Sequence, residues 1–364
     1  SCGQNHLSLP SPIRVQEGRR SGGGEPQGGD LLGVPLLQRA GPAENSGPVF
    51  PPLAISNYNR ARPVIKMQDG CSHGCSYCIV PLTRGRSVSR PPGDILAEMT
   101  RLHGAGFQEL ILSGINLRQY GRDFPRSAPI RDFWSLLVWL EARLAPDWTG
   151  RARWRLSSLE PGQLGEAALA ALGESRLVAP HLHISLQSGS SSVLRRMGRG
   201  HYDPAALPEF LGALRRVWPV MGLGADILMG FPGESGAEFA ETRAFVADLP
   251  LTYAHVFPFS PRPGTAAAVM PGQVPRGAAE ERAAIIRAVA EDKKEAFLRF
   301  LLERPGGGVL RMLLESRDTG LGVSEYYASC HLPAAAMPDN ARAGAILDVR
   351  PAGLEPGRLA VVVK

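Results

Sequence analysis

From about residue 61 to residue 300, short apolar runs alternate with stretches in which apolar residues recur at helical spacing. The runs Pro63–Met67, Glu109–Ser113, Trp154–Ser157, His181–Leu186, Ala225–Met229 and Tyr253–Phe257 predict strands. The segments between them predict helices. The clearest holds Phe133, Leu136, Leu137, Leu140 and Leu144, whose offsets of 3, 4, 7 and 11 place them on one face. Strand–helix units repeated in this way predict an α/β fold, a parallel sheet covered by helices. Right-handed crossovers then curl the six units into a partial (β/α)6 barrel.

The pattern changes at both ends. An amphipathic helix is predicted over about 276–302, marked by Ile285, Ile286, Val289, Phe297 and Leu301, and Pro305-Gly-Gly-Gly308 ends it. Beyond lie the strand-like runs Val309–Leu314, Gly344–Val349 and Leu359–Val363, which predict a small C-terminal all-β barrel. Six basic residues balance six acidic ones in residues 309–364, so charge alone does not mark this barrel as an RNA binder. The first fifty residues hold ten Gly and six Pro without a repeat, a composition that predicts little independent fold.

Each predicted strand is followed by a small or polar cluster: Cys71–Cys78, Ser113–Asn116, Ser157–Glu160, Gln187–Ser190, Gly230–Glu234 and Ser260–Arg262. In parallel α/β folds the ligand site lies along the C-terminal strand edge, so these clusters are expected to meet at one mouth. The first carries the chemistry. Cys71, Cys75 and Cys78 form a C-x3-C-x2-C motif, and three of the chain's five cysteines sit there. Three thiolates can hold three irons of a 4Fe-4S cube and leave the fourth open to a ligand. An open iron can bind S-adenosylmethionine and pass an electron to its sulfonium, releasing a carbon radical. Zinc is the rival occupant, since Cys3His sites are common and His73 lies inside the loop; paired cysteine hairpins are usual for structural zinc, however, and no second C-x2-C is present. A disulfide fits less well, because a closely spaced trio cannot pair internally. Cys330 is expected to be a small buried apolar residue.

Composition bounds the rest. A chain of 364 residues with 44% hydrophobic content supports a buried core. No apolar run approaches ~18 residues, and no basic segment followed by an apolar stretch opens the chain, so a cytoplasmic protein without membrane span or signal peptide is expected. The net charge of +6 permits a polyanionic partner. Between residues 60 and 101, seven basic side chains face three acidic ones. Arg84, Arg86 and Arg90 follow the cysteine loop closely enough to hold a nucleic-acid backbone over it; an ordinary solvated arginine surface is the alternative.

Further motifs accompany the cysteines: Ile65-Lys-Met-Gln-Asp-Gly-Cys71, Arg84-Gly-Arg-Ser-Val-Ser-Arg90, Ser188-Gly-Ser-Ser-Ser-Val-Leu-Arg-Arg-Met197 and Asp226-Ile-Leu-Met-Gly-Phe-Pro-Gly-Glu234. Over roughly residues 60–364 the chain resembles the radical S-adenosylmethionine methylthiotransferases, which act on tRNA or on a ribosomal protein. The segments Ser113–Gly121, Leu156–Pro161, Pro180–Gly189 and His255–Ser260 resemble the branch that modifies threonylcarbamoyladenosine next to the anticodon. The resemblance implies a radical-SAM core over 59–302, a TRAM-like barrel over 303–364, and a degenerate or truncated remnant of the family's N-terminal domain over 1–58. It implies a 4Fe-4S cluster on Cys71, Cys75 and Cys78, and a deoxyadenosyl radical that takes hydrogen from C2 of the adenine. S-adenosylmethionine would be held by Gly114, Asn116, Glu160, Gln187, Ser188 and Gly230. Each of these polar residues could equally cap a helix or satisfy a loop. No catalytic side chain is assigned. The partners implied are a tRNA anticodon loop, whose bases can be splayed into a pocket, and an electron donor such as flavodoxin or ferredoxin.

The family's N-terminal domain binds a second 4Fe-4S cluster through three cysteines, whereas only Cys2 precedes Cys71 here. The chain alone is therefore expected to assemble the radical-generating cluster but not the second one. The alternatives are a methylthiotransferase for isopentenyladenosine tRNA or for a ribosomal protein, a non-catalytic RNA-binding relic, and a zinc-stabilised binding protein.

Overall fold

A computed structural model describes Phe50, residues 60–305 and residues 308–364. Cys2 and the Gly/Pro-rich stretch up to Val49 lie outside the described residues. The larger part alternates strands and helices: β1 Val64–Asp69, α1 Val80–Arg84, β2 Val88–Ser89, α2 Pro92–Gly104, β3 Glu109–Gly114, α3 Phe133–Trp148, β4 Arg153–Leu156 and α4 Glu166–Glu174. It continues through β5 His181–Gln187, α5 Ser191–Arg196, α6 Leu207–Val217, β6 Gly222–Met229, α7 Gly236–Asp248, β7 Tyr253–Pro258 and α8 Arg276–Glu303.

The six expected strands form, each within a few residues of its predicted bounds. β1, β3 and β4 pair in parallel, as do β5, β6 and β7, and a parallel bridge between Leu159 and Ile184 links the two groups. β2 joins β1 antiparallel at the edge. The predicted partial barrel is thus present. Helix boundaries follow local chemistry: Asp132 and Ser135 make a capping box at the start of α3, and Ser235 and Glu238 make another at α7. The α3 face carrying Phe133, Leu136, Leu137, Leu140 and Leu144 is buried as its spacing predicts.

Alternation within the strands decides what lines the inside. Trp154 and Leu156, Leu182, Ile184 and Leu186, and Leu223, Ala225 and Ile227 pack into the core beneath the helices. The intervening Arg153, Arg155, His181, His183 and Asp226 therefore project to the inner face of the curled sheet. This inner wall is polar.

Residues 308–364 close a five-stranded barrel from β8 Leu310–Leu314, β9 Leu321–Val323, β10 Ser329–His331, β11 Ile346–Glu355 and β12 Arg358–Val363, in the order β10-β12-β11-β8-β9. β9 and β10 are too short to leave a periodic signal. β11 runs past the predicted Val349 because a register shift between Pro351 and Gly353 absorbs the proline. Cys330 is fully buried inside this barrel.

A buried charge cluster joins the two barrels. Glu109, fully buried, meets Arg153 at 2.5 Å and Arg155 at 3.0 Å. These arginines reach onward to carbonyls of the small barrel: Arg153 to Arg311 at 2.5 Å, Arg155 to Ser324 at 3.0 Å. Tyr327, held at φ 65°, stacks on His181 with ring centroids 4.8 Å apart and lies beneath Arg155. Burial alone would raise the Glu109 pKa, but Arg155 and Arg153 override it and hold the carboxyl at about 2, against an ordinary 4.5. A carboxylate so depressed stabilises the fold above pH ~4.5, and the contribution fades as pH falls toward about 2; its size is about 3 kcal/mol. Urea titrations across that window should show wild-type stability falling. Glu109→Gln should start about 3–5 kcal/mol lower at pH 7, because the buried arginines lose their partner, and converge with wild type near pH 2.

Candidate active site

The three cysteines follow β1 directly. Gly70 turns the chain at φ 67°, and a Cβ there would lie 2.1 Å from the Arg86 carbonyl oxygen, so only glycine fits. The Cys71 amide then donates to the Gly85 carbonyl at 3.0 Å. Gln68, fully buried on the inner face of β1, anchors the turn: its Nε2 donates to Gly70 O at 2.6 Å and Ser87 Oγ at 2.8 Å, and its Oε1 accepts from the Asn116 amide at 2.8 Å. Further along, the Ser76 amide donates to Met197 O at 2.9 Å, and the Ala267 amide donates to Ser76 O at 2.8 Å. The end of β1, the turn after β3, the C-terminus of α5 and the segment after β7 thus fix the loop between them.

Cys71 is buried, and Cys75 and Cys78 are half-buried free thiols. Burial pushes the Cys75 thiol up to about 11 and raises Cys78. Thiols in this state favour a cationic metal centre that supplies the charge their thiolate forms need. Gln119 Nε2 lies 3.4 Å and Asn116 Nδ2 3.8 Å from Cys71 Sγ, placing two amide donors on that sulfur. Such donors stabilise cluster sulfur. Among the described residues, the groups of potential ligands gathered within 4.8 Å are His73 with Glu160 and His201, and His183 with Asp226 and His255. The cysteine trio is in neither. Zn–S bonds of about 2.3 Å would draw three thiolates to one point, and a cube with a sulfur on each of three corners would not. A trio spaced more widely than those groups suits the cube better than a single zinc ion.

The other sequence-derived residues divide. Asn116 sits beside Cys71, and its Oδ1 caps a short helical turn by accepting from the Arg118 amide at 3.1 Å. Gly114 lies between Leu117 and Gln68, where a Cβ would come within 2.9 Å of Leu117. Gln187 ends β5 at φ 65°, an uncommon conformation for this residue type that turns its half-buried side chain at the mouth. Glu160 does face the site, but it is held by Arg199 through two contacts of 3.0 and 2.7 Å and by His201 at 3.3 Å. Burial would raise the Glu160 pKa; His201 and Arg199 bring it below its ordinary value.

Three further residues of the expected site make contacts elsewhere in the fold. Ser188 is fully buried, its hydroxyl paired with Thr242 Oγ1 at 3.0 Å and accepting from the Ser190 amide at 3.1 Å, so it serves the β5–α5 turn. Gly230 is also buried, and the close approach it permits is to α8: a Cβ there would sit 2.3 Å from Ala279 Cβ. Arg90 is buried and ion-paired to Glu98, with 6% exposure, which removes it from any phosphate-binding surface. Arg84 and Arg86 are exposed beside the loop, and Arg84 lies 3.6 Å from Asp69. Arg196 is fixed by Glu238 through two 2.8 Å contacts.

Sequence reasoning missed Arg199. It is 3% exposed and, besides Glu160, donates to Ser185 O at 2.7 Å and contacts Tyr77 Oη at 3.5 Å. Its positive charge also favours the Cys75 thiolate, against the stronger opposing effect of burial. One guanidinium therefore joins the cysteine loop, the β4 end and β5. The residue lies two positions beyond the Ser188–Met197 motif, where an isolated arginine between glycines looks like surface.

A curled parallel sheet with a three-thiol loop at the C-terminal end of its first strand defines a cluster-binding α/β barrel enzyme class. The sequence profile of the radical SAM superfamily matches residues 65–246, and the chain belongs to that superfamily. Its members take a 4Fe-4S cluster and S-adenosylmethionine, and so does this chain. Among curated relatives, the threonylcarbamoyladenosine tRNA methylthiotransferase MtaB of Rickettsia prowazekii is 36% identical over 266 residues, 73% of this chain and 60% of the relative. The protein of the same name from Treponema pallidum is 39% identical, covering 74% and 54%. The tRNA-2-methylthio-N(6)-dimethylallyladenosine synthase of Nocardia farcinica is 33% identical, covering 82% and 57%. The chain thus spans little more than half the length of these relatives.

Proposed function

We propose that this chain carries the radical-generating and substrate-facing part of a methylthiotransferase for C2 of threonylcarbamoyladenosine next to the anticodon of tRNA. The observation that supports it most is the cysteine loop at the end of β1, pinned by backbone bonds to the α5 C-terminus and to the segment after β7, in a chain at least 36% identical to two enzymes so named. Cys71, Cys75 and Cys78 hold the cluster, which supplies one-electron cleavage of S-adenosylmethionine to a carbon radical. Gln119 and Asn116 donate to the Cys71 sulfur, and Arg199 favours the Cys75 thiolate. Glu160 and Gln187 line the wall where the amino and carboxylate groups of S-adenosylmethionine bind. Arg84 and Arg86 face the RNA backbone, the small barrel extends the RNA-binding part, and a flavodoxin or ferredoxin delivers the electron. Among the described residues no helix is long and apolar enough to cross a membrane, and the cytoplasm is the compartment where such a cluster meets tRNA.

The experiment is anaerobic reconstitution of the chain with iron and sulfide, followed by reductant and S-adenosylmethionine. Release of 5′-deoxyadenosine is the expected result. With anticodon stem-loop RNA bearing threonylcarbamoyladenosine, deuterium placed at C2 should move into that 5′-deoxyadenosine, and deuterium at C8 should not. A stoichiometric zinc content without iron, or label transfer from C8, would refute the proposal.

A further inference from the structure

The inner wall formed by β5, β6 and β7 holds polar groups that the cluster site does not use. Asp226 Oδ1 lies 3.0 Å from His183 Nε2 and 3.2 Å from His255 Nδ1, while among the described residues Oδ2 meets Ser158 Oγ alone, at 3.4 Å. Behind them, Tyr253 Oη sits 2.8 Å from His183 Nδ1 and 2.9 Å from His181 Nε2. With the Nε2–H of His183 set toward the carboxylate, its Nδ1 accepts from Tyr253. The phenol oxygen in turn accepts from His181 Nε2–H, and burial holds the His181 pKa well below its ordinary value. All the donors therefore run toward Asp226. Burial would raise the Asp226 pKa, but His183 and His255 bring it below the ordinary value.

Two residues along the same face of β7, beyond His255, stands Phe257. Val256 between them packs into the core, whereas Phe257 is 53% exposed, its ring centroid 6.4 Å from that of His255 and nearly edge-on. An aromatic ring left open on the inner wall of a barrel, one residue from the strand end, lacks the packing that normally covers it. Beside it lies an anionic acceptor with a largely unused oxygen.

We propose that Phe257, His255 and Asp226 form the subsite for a purine base turned out of an RNA loop: the base stacks on Phe257, and Asp226 Oδ2 accepts from its exocyclic N6–H, with His255 holding the carboxylate. This rests on the tRNA substrate class proposed above. Stacking supplies affinity that tolerates any base, and a buried-side acceptor supplies discrimination, because a base without the N–H leaves that acceptor unpaired.

Fluorescence anisotropy of labelled anticodon stem-loop RNA tests it with the full chain, using adenosine or N6,N6-dimethyladenosine beside the anticodon. Wild type should bind the adenosine RNA about tenfold more tightly, since the dimethylated base has no donor. Phe257→Ala should weaken both RNAs by about tenfold, and Phe257→Trp should restore binding. Asp226→Asn should reduce the discrimination to less than about threefold. Because Phe257 is exposed, its alanine variant does not threaten the fold. If wild type binds RNA but either Phe257→Ala or Asp226→Asn behaves like it, the subsite is refuted and the RNA function stands. If wild type binds neither RNA, both fall.

Discussion

Replacing Cys71, Cys75 and Cys78 together by alanine should leave a folded chain that retains no cluster iron after reconstitution and cleaves S-adenosylmethionine no faster than a blank. The fold should survive because none of the three belongs to the apolar core beneath the helices. The loop is held mainly by backbone and by Gln68, Ser76 and Gly70, and the sulfur contributes only long contacts to Cys71, of 3.4 and 3.8 Å from Gln119 and Asn116. A stability change within about 1 kcal/mol is expected for such substitutions. Iron analysis and visible absorption report the cluster, and thermal unfolding of the metal-free protein reports the fold. Iron retained at wild-type content would show that the metal sits elsewhere.

Arg199→Met should be the most damaging single change away from the cysteines. It strands Glu160, which is 7% exposed, as a buried carboxylate with the imidazoles of His201 and His73 beside it, and it removes the donor to Ser185 O. Breaking a buried ion pair from one side costs about 3–5 kcal/mol. Removing the second charge as well relieves most of that: Arg199→Met combined with Glu160→Gln should recover at least about 2 kcal/mol relative to the single variant. Denaturant unfolding of wild type, both single variants and the double variant measures the coupling. Strict additivity across that cycle would mean that the two groups do not depend on each other. The cluster should suffer too, since Arg199 links Glu160 to Tyr77 of the cysteine loop and its charge favours the Cys75 thiolate, and iron content after reconstitution checks this independently.

Much of this was legible in the chain. Parallel strands buried on one face left apolar runs, and the clusters that follow them identified the mouth, because strand direction dictates which end the loops occupy. Cys71, Cys75 and Cys78 were legible because few chemistries need three close thiols. What failed to show was the destination of side chains whose partner is distant in sequence. Arg90 belonged to an arginine-rich stretch, and although Glu98 is only eight positions on, the turn from β2 into α2 was needed to pair them. Ser188 resembled a ligand-binding hydroxyl, and its partner Thr242 lies on α7, 54 positions away. Gly230 signalled a close approach correctly, but sequence could not say that Ala279 was what approached. The charged residues Glu109, Arg153 and Arg155 did leave a trace, since charges at alternate positions of apolar strands must share a face. Their mutual neutralisation required the strand register.

That cluster has a mechanical corollary. With Arg153 and Arg155 gripping carbonyls of the small barrel while both are clamped by Glu109, the C-terminal module cannot behave as a tethered bead swinging on a linker. Its spacing from the thiol loop is preset, like the two jaws of a caliper locked at one gauge. A macromolecule long enough to touch both jaws then forfeits no hinge entropy on docking, and the distance between its two points of contact is selected by the enzyme before the two meet.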